Sequence, residues 1–361
     1  MKVLMSTDNI GGVWTYTMNL AEGLRNNGVD VFIAVTGNNL SASQQEMIRS
    51  FNYEVILTRQ EWMNDPWEDI EKASLRLNSI ANLVRPDIVH LNSFSYNSHK
   101  WNVPVIVVAH SCVLSWWDTV LGEPVPYSWN RYKEQVSYGI TNADVVVAPS
   151  HSMMDMVKKY YKPASSEVIY NGADPDIFFP TGKEDIVFSM GRLWDKAKNI
   201  SLLLEAAHEI NYPVFIAGNY DDIQNIRVPG NVTFTGYLNN SLVRGYLSRA
   251  AVYALPVKYE PFGYTFLEAA LSGCALVAGD IPSMRELWGD SAIYSPTNNS
   301  TILAEQINAL MADKQKRQRL SDMARERATM NYSLENMTRG YLKLYAGILK
   351  SAFHNKNKIE V

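Results

Sequence analysis

Three features of the sequence predict an α/β protein made of two doubly wound domains, each with a parallel sheet. The chain has 361 residues, more than the ~250–300 residues at which a single hydrophobic core stops growing. Short apolar runs rich in β-branched residues alternate with longer amphipathic stretches, the pattern of strands and helices in such folds. The alternation begins again after a segment rich in turn residues at 170–180.

The first series of apolar runs predicts a sheet that is covered on both faces. Each run is almost continuously apolar, as in the strands of a parallel sheet. The segment 13–27 places Tyr16, Leu20 and Leu24 on one face and predicts a helix. The predicted strands of this series are 2–6, 30–36, 54–57, 87–92, 104–111 and 143–150. Because crossovers between parallel strands are right-handed, helices are expected on both sides of the sheet.

A second series of strands and a final helix complete the predicted organisation. The second series comprises 185–192, 212–219, 231–237, 250–257 and 274–280. The final helix, 334–353, has an apolar face formed by Tyr341, Leu344, Tyr345 and Ile348. We therefore expect domains at 1–169 and 181–333, a linker at 170–180, and a C-terminal helix and tail at 334–361. Two such Rossmann-like domains create a cleft at the carboxyl ends of their strands, where ligands bind.

The composition argues against several classes of protein. Lys and Arg total 33 against 37 Asp and Glu, a net charge of −4, which argues against nucleic acid as the main partner. Cys112 and Cys274 lie far apart in apolar segments and are expected to be buried thiols rather than a disulfide or a zinc site. No apolar run approaches the ~20 residues that span a bilayer. We expect a soluble cytoplasmic protein.

One small cluster of basic and aromatic residues leaves weak peripheral membrane contact open, at the inner face of the membrane. It consists of Lys158, Lys159, Tyr160, Tyr161 and Lys162. Such a patch could touch anionic lipid. The simpler interpretation is a solvated helix end.

Two loops at predicted strand ends are suited to phosphate. Gly11 and Gly12 follow the first strand and open a helix, where backbone N–H groups can approach an anion. Gly191 and Arg192 end another strand, and Lys198 follows in the same loop. Cations at this position suit a diphosphate. Taken alone, the first loop could be a turn and the second a solvated basic loop.

A third motif combines two carboxylates with a glycine turn. Glu260 precedes a helix start at Gly263, and Glu268 lies about one turn inside the helix. The amides of Tyr264 and Thr265 can point out of this helix start. Carboxylates can accept sugar hydroxyls while amides bind phosphate. The alternatives are a pair of hydrolytic carboxylates and acids that merely favour the helix dipole.

These motifs together resemble the retaining glycosyltransferases of family 4, which have the GT-B fold. The resemblance is carried by GGVW and LAEGL near the N-terminus, His110, NGADPDIFFP, GRLWDKAKN, and EPFGYTFLEAALSGCALVAGDIPSMREL. It extends in the family's order from Lys2 to about Ile348. It implies two Rossmann-like domains that face each other across a cleft, with the C-terminal helix crossing back to the first domain. The acceptor region of the first domain departs from the family pattern.

The resemblance also implies roles for individual residues. Arg192 and Lys198 correspond to the cations that hold the donor diphosphate, and Glu268 to the glutamate that binds the ribose hydroxyls. The residues implied for catalysis are Arg192, Lys198, Glu260 beside the donor sugar, and His110 near its 6-hydroxyl. The residues implied for donor binding are Gly12, Gly191, Tyr237, Leu238, Gly263, Tyr264, Thr265 and Glu268, with Tyr237 and Leu238 at the base. The expected donor is a UDP-sugar such as UDP-glucose, with GDP-sugars next.

No metal ion or other cofactor is expected. Asp174 and Asp176 spell a DxD motif, but they lie in the linker, where similar linkers of the family bind no metal. No other cluster has the spacing of metal ligands. His110 ends an apolar run, so an ordinary core histidine is the alternative to a cleft residue.

The predicted acceptor is a saccharide or a lipid-linked saccharide used in polysaccharide biosynthesis. Aromatic residues that could stack on sugar rings are concentrated in the first domain: Trp14, Trp116, Trp117 and Trp129. The alternative is ordinary packing of these side chains. Two other functions remain open, a nucleotide-sugar epimerase of GT-B type and a non-catalytic nucleotide-sugar-binding subunit of a polysaccharide assembly complex.

Overall fold

The chain divides into two units, each built on its own parallel sheet. A computed structural model describes residues 1–219 and 228–359, with side chains up to 353 in the last helix. Unit 1 contains Met1–Asp118, Gly122–Gly172 and the chain from Leu334 onward, and unit 2 contains Thr119–Leu121 and Ala173–Ser333. The main division falls after Gly172, inside the turn-rich segment 170–180.

Unit 1 has a seven-stranded sheet in the order β3-β2-β1-β4-β5-β6-β7, and all its described pairings are parallel. The strands are β1 (Lys2–Asp8), β2 (Asp30–Gly37), β3 (Asn52–Leu57), β4 (Ile88–Leu91), β5 (Val105–Val108), β6 (Val145–Ala148) and β7 (Ser166–Val168). The helices joining them are α1 (Gly12–Asn26), α2 (Ala42–Ile48), α3 (Trp67–Val84), α4 (Val113–Val120), α5 (Asn130–Thr141) and α6 (His151–Tyr160). Every residue of β4, β5 and β6 is buried, as the continuous apolar runs predict.

Unit 2 repeats the same winding in a six-stranded sheet of order β10-β9-β8-β11-β12-β13. Its strands are β8 (Glu184–Met190), β9 (Val214–Ala217), β10 (Val232–Gly236), β11 (Ala250–Leu255), β12 (Ala275–Gly279) and β13 (Ala292–Ser295). Its helices are α7 (Ile200–Ala207), α8 (Asn240–Arg249), α9 (Tyr264–Leu271), α10 (Pro282–Trp288), α11 (Ser300–Ala312) and α12 (Lys314–Asn331). In both sheets the chain starts at a central strand, builds one side and then the other, which is the Rossmann order.

The last described helix, α13 (Leu334–Ile359), returns to unit 1 and packs on α1. Tyr341 and Tyr345 are fully buried on the predicted apolar face. The two helices approach closely because Gly23 lies at their crossing. A Cβ at Gly23 would lie 2.0 Å from Thr338 Oγ1, so a larger residue would force the helices apart.

The prediction of an α/β protein with two doubly wound sheets is confirmed. All eleven predicted strands are present, most with bounds that differ by one to three residues at each end. The structure adds β7 and β13, which sequence reasoning missed. β7 reads Ser-Glu-Val and carries no apolar run, while β13 is an edge strand of four residues. Over the described chain, no helix is both long and apolar enough to cross a membrane.

Candidate functional site

Most of the predicted donor-site residues in unit 2 follow its strands at one edge of the sheet. Gly191 and Arg192 come directly after β8, Tyr237 after β10, and Glu260 in the segment between β11 and α9. Since the strands are parallel, these loops lie at the carboxyl edge of the sheet, where α/β proteins bind ligands. The described chain resumes at 228, so the loop after β9 lies partly outside the described residues.

Lys198 and Glu260 form an ion pair at this edge. Lys198 Nζ lies 2.5 Å from Glu260 Oε2, and their side chains are only 15% and 12% exposed. Asn199 fixes the backbone beside the lysine in the left-handed region, at φ 55°. Its Nδ2 donates to the carbonyl oxygens of Pro256 and Thr297, both at 2.9 Å. The lysine is therefore held beside the first glutamate by a rigid turn.

Arg192 is anchored by a carboxylate that the sequence analysis did not single out. Its Nη2 donates to Asp195 Oδ2 at 2.8 Å, and Asp195 Oδ1 accepts from the amide of Ala197 at 2.9 Å. Asp195 is 4% exposed and Arg192 46% exposed. Burial alone would raise the pKa of the Asp195 carboxyl, but the Arg192 charge and its hydrogen bonds outweigh burial and hold the pKa below its usual value. The buried Asp195 thus orients the guanidinium group of Arg192, and the exposed part of that group can bind an anion.

The glycine turn before α9 has the predicted geometry. Gly263 adopts φ 85° and ψ 75° and precedes the first helical residue, Tyr264. A Cβ at Gly263 would lie 2.9 Å from Phe266 Cδ2 and 3.1 Å from Glu260 Cγ, so only glycine fits. The amides of Tyr264 and Thr265 lie in the first helical turn, where N–H groups have no partner within the helix and the dipole is positive.

Glu268 is a carboxyl group in a strongly desolvated position within α9. Burial raises its pKa to about 7, although the Arg244 charge on α8 acts in the opposite direction. Tyr237, by contrast, is 85% exposed, and Leu238 is half-buried just before α8. The exposed Tyr237 ring offers a face for stacking, and the Glu268 carboxyl group offers hydrogen-bond acceptors for hydroxyl groups.

In unit 1, the glycine that requires an unusual backbone is Gly11 rather than Gly12. Gly11 has φ 62° and ψ −136° and stands immediately before α1, whereas Gly12 is the first helical residue. The helix N-terminus predicted as an anion site is therefore present. Trp14, two residues further along α1, is 5% exposed and lies in the core of unit 1.

His110 follows β5 and is held by a neighbouring asparagine. Its Nε2 lies 2.8 Å from Asn92 Oδ1, and the Tyr16 ring packs against it with centroids 4.5 Å apart. Burial lowers the pKa of His110 to about 3. The side chain is half-buried, so it is neither fully exposed nor enclosed in the core.

A second histidine, His90, was missed by sequence reasoning because it lies inside an apolar strand. It is fully buried in β4. Its Nε2 contacts the Tyr16 hydroxyl at 3.1 Å and its Nδ1 contacts the Tyr345 hydroxyl at 2.7 Å. Burial lowers the pKa of His90 to about 3. The neutral imidazole of His90 on β4 therefore links α1, which carries Tyr16, to α13, which carries Tyr345.

Three of the four predicted acceptor tryptophans form one aromatic cluster. The ring centroids of Trp116 and Trp117 are 6.1 Å apart, and those of Trp117 and Trp129 are 6.3 Å apart. All three side chains are half-buried, and Trp129 also packs on the core of unit 1. Nearby in sequence, Tyr127 is 91% exposed. The cluster thus combines packing with accessible ring surface.

Two other sequence features, the DxD motif and the basic-aromatic cluster, make local contacts within the protein. Asp174 Oδ1 accepts from the amide of Asp176 at 2.9 Å and caps a short 3₁₀ turn. In the basic-aromatic cluster, Tyr161 is 3% exposed and Lys159 pairs with Asp118 at 2.7 Å, while the side chains of all three lysines are exposed. Within the described ranges, no group of three or more His, Cys, Asp or Glu residues could hold a metal ion. Cys112 and Cys274 are buried free thiols, as predicted.

Two family models together cover most of the chain. The model described as Glycosyltransferase Family 4 matches residues 10–177, and the model described as Glycosyl transferases group 1 matches residues 173–327. The chain belongs to the family 4 glycosyltransferases. The resemblance seen in the sequence motifs is thereby confirmed, and the chain is a glycosyltransferase.

Named relatives of this glycosyltransferase include two mycobacterial synthases. The chain is 26% identical over 328 residues to alpha-maltose-1-phosphate synthase of Mycobacterium tuberculosis, covering 74% of this chain and 84% of that protein. It is also 26% identical over 308 residues to glycogen synthase of the same organism, covering 76% and 72% respectively.

Solved structures show the same GT-B fold. Sucrose-phosphate synthase from Thermosynechococcus elongatus superposes with a TM-score of 0.81 at 18% identity, covering 97% of this chain and 100% of that one. Anabaena HepE in complex with UDP and glucose superposes with a TM-score of 0.78 at 16% identity, covering 96% and 100%. At these identities the likeness defines the fold of the glycosyltransferase and leaves its substrates to be argued from its own residues.

Proposed function

We propose that this glycosyltransferase moves a hexose from a nucleotide diphosphate sugar to a saccharide or lipid-linked saccharide in polysaccharide biosynthesis, with retention of configuration and without a metal ion. The observation that carries the proposal is the pair of anchored cations at the carboxyl edge of unit 2. Arg192 is oriented by Asp195, and Lys198 is held beside Glu260. Two positive groups fixed in one loop beside a helix N-terminus suit a diphosphate.

The chemistry expected at such a site needs charge stabilisation more than acid catalysis. The acceptor oxygen attacks the anomeric carbon from the face that the diphosphate leaves. The bond between the anomeric carbon and the diphosphate oxygen breaks, its electron pair stays on that oxygen, and the acceptor proton moves to it. Negative charge therefore grows on the diphosphate, where Arg192 and Lys198 can stabilise it in place of a metal ion.

The remaining donor contacts follow from the other loops of unit 2. The helix N-terminus at Gly263 offers the amides of Tyr264 and Thr265 to phosphate. The desolvated carboxyl of Glu268 is suited to accept hydrogen bonds from the two ribose hydroxyls. The exposed Tyr237 ring is suited to stack on a base. A UDP-sugar is our expected donor, supported by the UDP and glucose bound to the structurally similar HepE.

The deciding experiment is donor hydrolysis without an acceptor. A glycosyltransferase of this kind should slowly release nucleoside diphosphate and free sugar from its own donor. Thermal unfolding in the presence of UDP-, GDP- and ADP-sugars identifies that donor, since a ligand at 100 times its Kd stabilises by about 2.7 kcal/mol. Stabilisation without any hydrolysis, with EDTA present or absent, would instead identify a binding subunit. Release of a 2-epimer of the sugar would identify an epimerase.

The acceptor is proposed to stack on the aromatic cluster of unit 1. The accessible rings of Trp116 and Trp117 lie in α4, beside the loop that carries the exposed Tyr127. Trp116→Ala and Trp117→Ala should raise the KM for the acceptor and leave donor hydrolysis unchanged, because the donor contacts proposed above do not include these residues. Unchanged acceptor KM in both variants would assign the cluster to packing alone. A lipid-linked acceptor would bring the enzyme to the inner face of the membrane, which binding to anionic vesicles can test.

A further inference from the structure

The segment 256–260, which follows β11, is fixed on one side by the loop that carries Lys198. The amide of Lys258 donates to the Ala197 carbonyl oxygen at 2.8 Å. The side chain of Asn199 adds a second bond, to the carbonyl oxygen of the first residue of the segment. Contacts from both neighbours of the lysine therefore hold this segment against the lysine loop.

The other side of the segment is fixed by the turn from β12 into α10. A Cβ at Gly279, the last residue of β12, would lie 2.0 Å from the Val257 carbonyl oxygen, so the two backbones are in direct contact. Ser283 Oγ, in the first turn of α10, lies 2.6 Å from the Glu260 carbonyl oxygen. Because a carbonyl oxygen only accepts, the serine hydroxyl donates this bond. Both residues belong to GDIPSMREL, a part of the family motif that the proposed donor contacts do not use.

Ser283 is held in the interior of unit 2, where its own position is well defined. Its side chain is 7% exposed, and its neighbours Met284 and Trp288 on α10 are fully buried. At the far end of α10, the Tyr294 hydroxyl of β13 donates to the Gly289 carbonyl oxygen at 2.6 Å. A hydroxyl on a helix that is anchored at both ends can fix the backbone to which it bonds.

We propose that Ser283 is a positioning residue, which fixes the backbone at Glu260 and thereby keeps the Lys198–Glu260 ion pair in place for the donor diphosphate. The inference rests on the proposed function, because it assigns Lys198 to that diphosphate. The ion pair transmits the position of one partner to the other, since the two charged atoms are 2.5 Å apart and the side chains are 15% and 12% exposed. A backbone shift at Glu260 therefore moves the lysine, and the stabilisation of charge depends on the distance between lysine and diphosphate.

The ion pair can be probed in the ligand-free protein. Acetic anhydride acetylates lysine amines that are accessible and unprotonated, and mass spectrometry of proteolytic peptides gives the rate at each lysine. Lys196 in the same loop is exposed and serves as the internal reference. In Ser283→Ala the acetylation rate of Lys198 relative to Lys196 should rise about 3–10-fold, the scale for losing one hydrogen bond. An unchanged relative rate overturns the proposal.

Ser291→Ala is the matched control. Ser291 is 3% exposed and follows α10, and its Oγ donates to the Trp288 carbonyl oxygen at 2.5 Å. The variant thus loses the same kind of bond, from a buried serine near the same helix, but not one that involves the segment 256–260. The relative acetylation rate of Lys198 should stay at the wild-type value. An equal rise in Ser291→Ala would show a general loosening of unit 2 and overturn the proposal.

Turnover is measured by hydrolysis of UDP-glucose without an acceptor. Ser283→Ala should lower kcat about 10-fold and raise KM less, because the displaced lysine stabilises charge that grows only as the bond to the diphosphate breaks. In a Glu260→Gln background the same substitution should change kcat less than about twofold, because the ion pair through which the serine acts is already lost. Multiplication of the two separate effects on kcat would indicate a general structural role and overturn the proposal.

Failure of the proposed donor is distinguishable from failure of the positioning role. If the wild type does not hydrolyse UDP-glucose, the proposed donor fails. The acetylation rates of Lys198 in the two serine variants then decide alone whether Ser283 positions the ion pair.

Discussion

Glu268→Gln should make the ligand-free protein more stable at alkaline pH while impairing it as an enzyme. Burial raises the pKa of this carboxyl to about 7, and the Arg244 charge offsets only part of the effect. In the unfolded chain the same group has its ordinary pKa of 4.5. Between these two values the native state binds a proton that the unfolded state has lost. The free energy of unfolding therefore falls as pH rises from 4.5 to 7.

The size of the effect follows from the two pKa values. Moving the pKa from 4.5 to about 7 costs the native state about 3 kcal/mol at pH 8 and about 1 kcal/mol at pH 5, since one pKa unit is worth about 1.4 kcal/mol. Glutamine removes the charge but keeps the shape. The variant should therefore gain up to about 3 kcal/mol at pH 8 and little below pH 4.5.

Denaturant titrations of both proteins at pH 5, 7 and 8 measure this difference. Glu305→Gln on α11 is the matched control, because Glu305 is exposed and surface changes stay within about 0.5 kcal/mol. A gain for Glu268→Gln that does not grow with pH would refute the burial argument. The same variant should bind its nucleotide-sugar donor more weakly, because the amide nitrogen of glutamine cannot accept a hydrogen bond from a ribose hydroxyl.

The remaining predictions concern the cations, the turn that holds one of them, and the buried histidine. Arg192→Ala and Lys198→Ala should each lower turnover about 10²–10³-fold. Lys196→Ala, which changes an exposed residue of the same loop, should leave turnover unchanged. Near wild-type rates for Arg192→Ala and Lys198→Ala would contradict their proposed role in stabilising the diphosphate. Asn199→Ala should cost about 2–4 kcal/mol in thermal unfolding through two lost hydrogen bonds and a left-handed alanine, and Asn199→Gly less. Acidification from pH 6.5 towards 3 should destabilise unit 1, because His90 has a pKa of about 3 when folded and about 6.5 when unfolded. His90→Gln should flatten that fall, and an unchanged pH profile would contradict it.

The fold could be predicted from the sequence because buried parallel strands leave continuous apolar runs. That signal failed for β7 and β13, which are partly buried edge strands of three and four residues. Burial is weaker there, so fewer apolar residues are needed. Strand bounds shifted because the last apolar residue of a run can already belong to the following loop.

The site could be predicted only where glycine, cation and carboxylate occur together in a short motif. Asp195 and Asn199 lie inside such a motif, yet their contacts depend on side-chain directions that spacing does not show. Asn92 and His90 were harder still, since both follow or occupy an apolar strand and contact residues far away in the chain. Asn92, for example, bonds Ser6, which lies 86 residues earlier. Only folding brings these groups together.

The return of α13 to unit 1 has a consequence for how the chain is made. Unit 2 is largely one continuous stretch, Ala173–Ser333, whereas unit 1 needs α13, which is translated after it. A ribosome therefore releases all the residues of β8 to α12 before Tyr341 and Tyr345 can close over His90. Unit 2 should therefore become protease-resistant first during synthesis. Until α13 is made, the surface of unit 1 that α13 covers stays exposed and can bind chaperones. A nascent chain stalled before Leu334 would display that order directly.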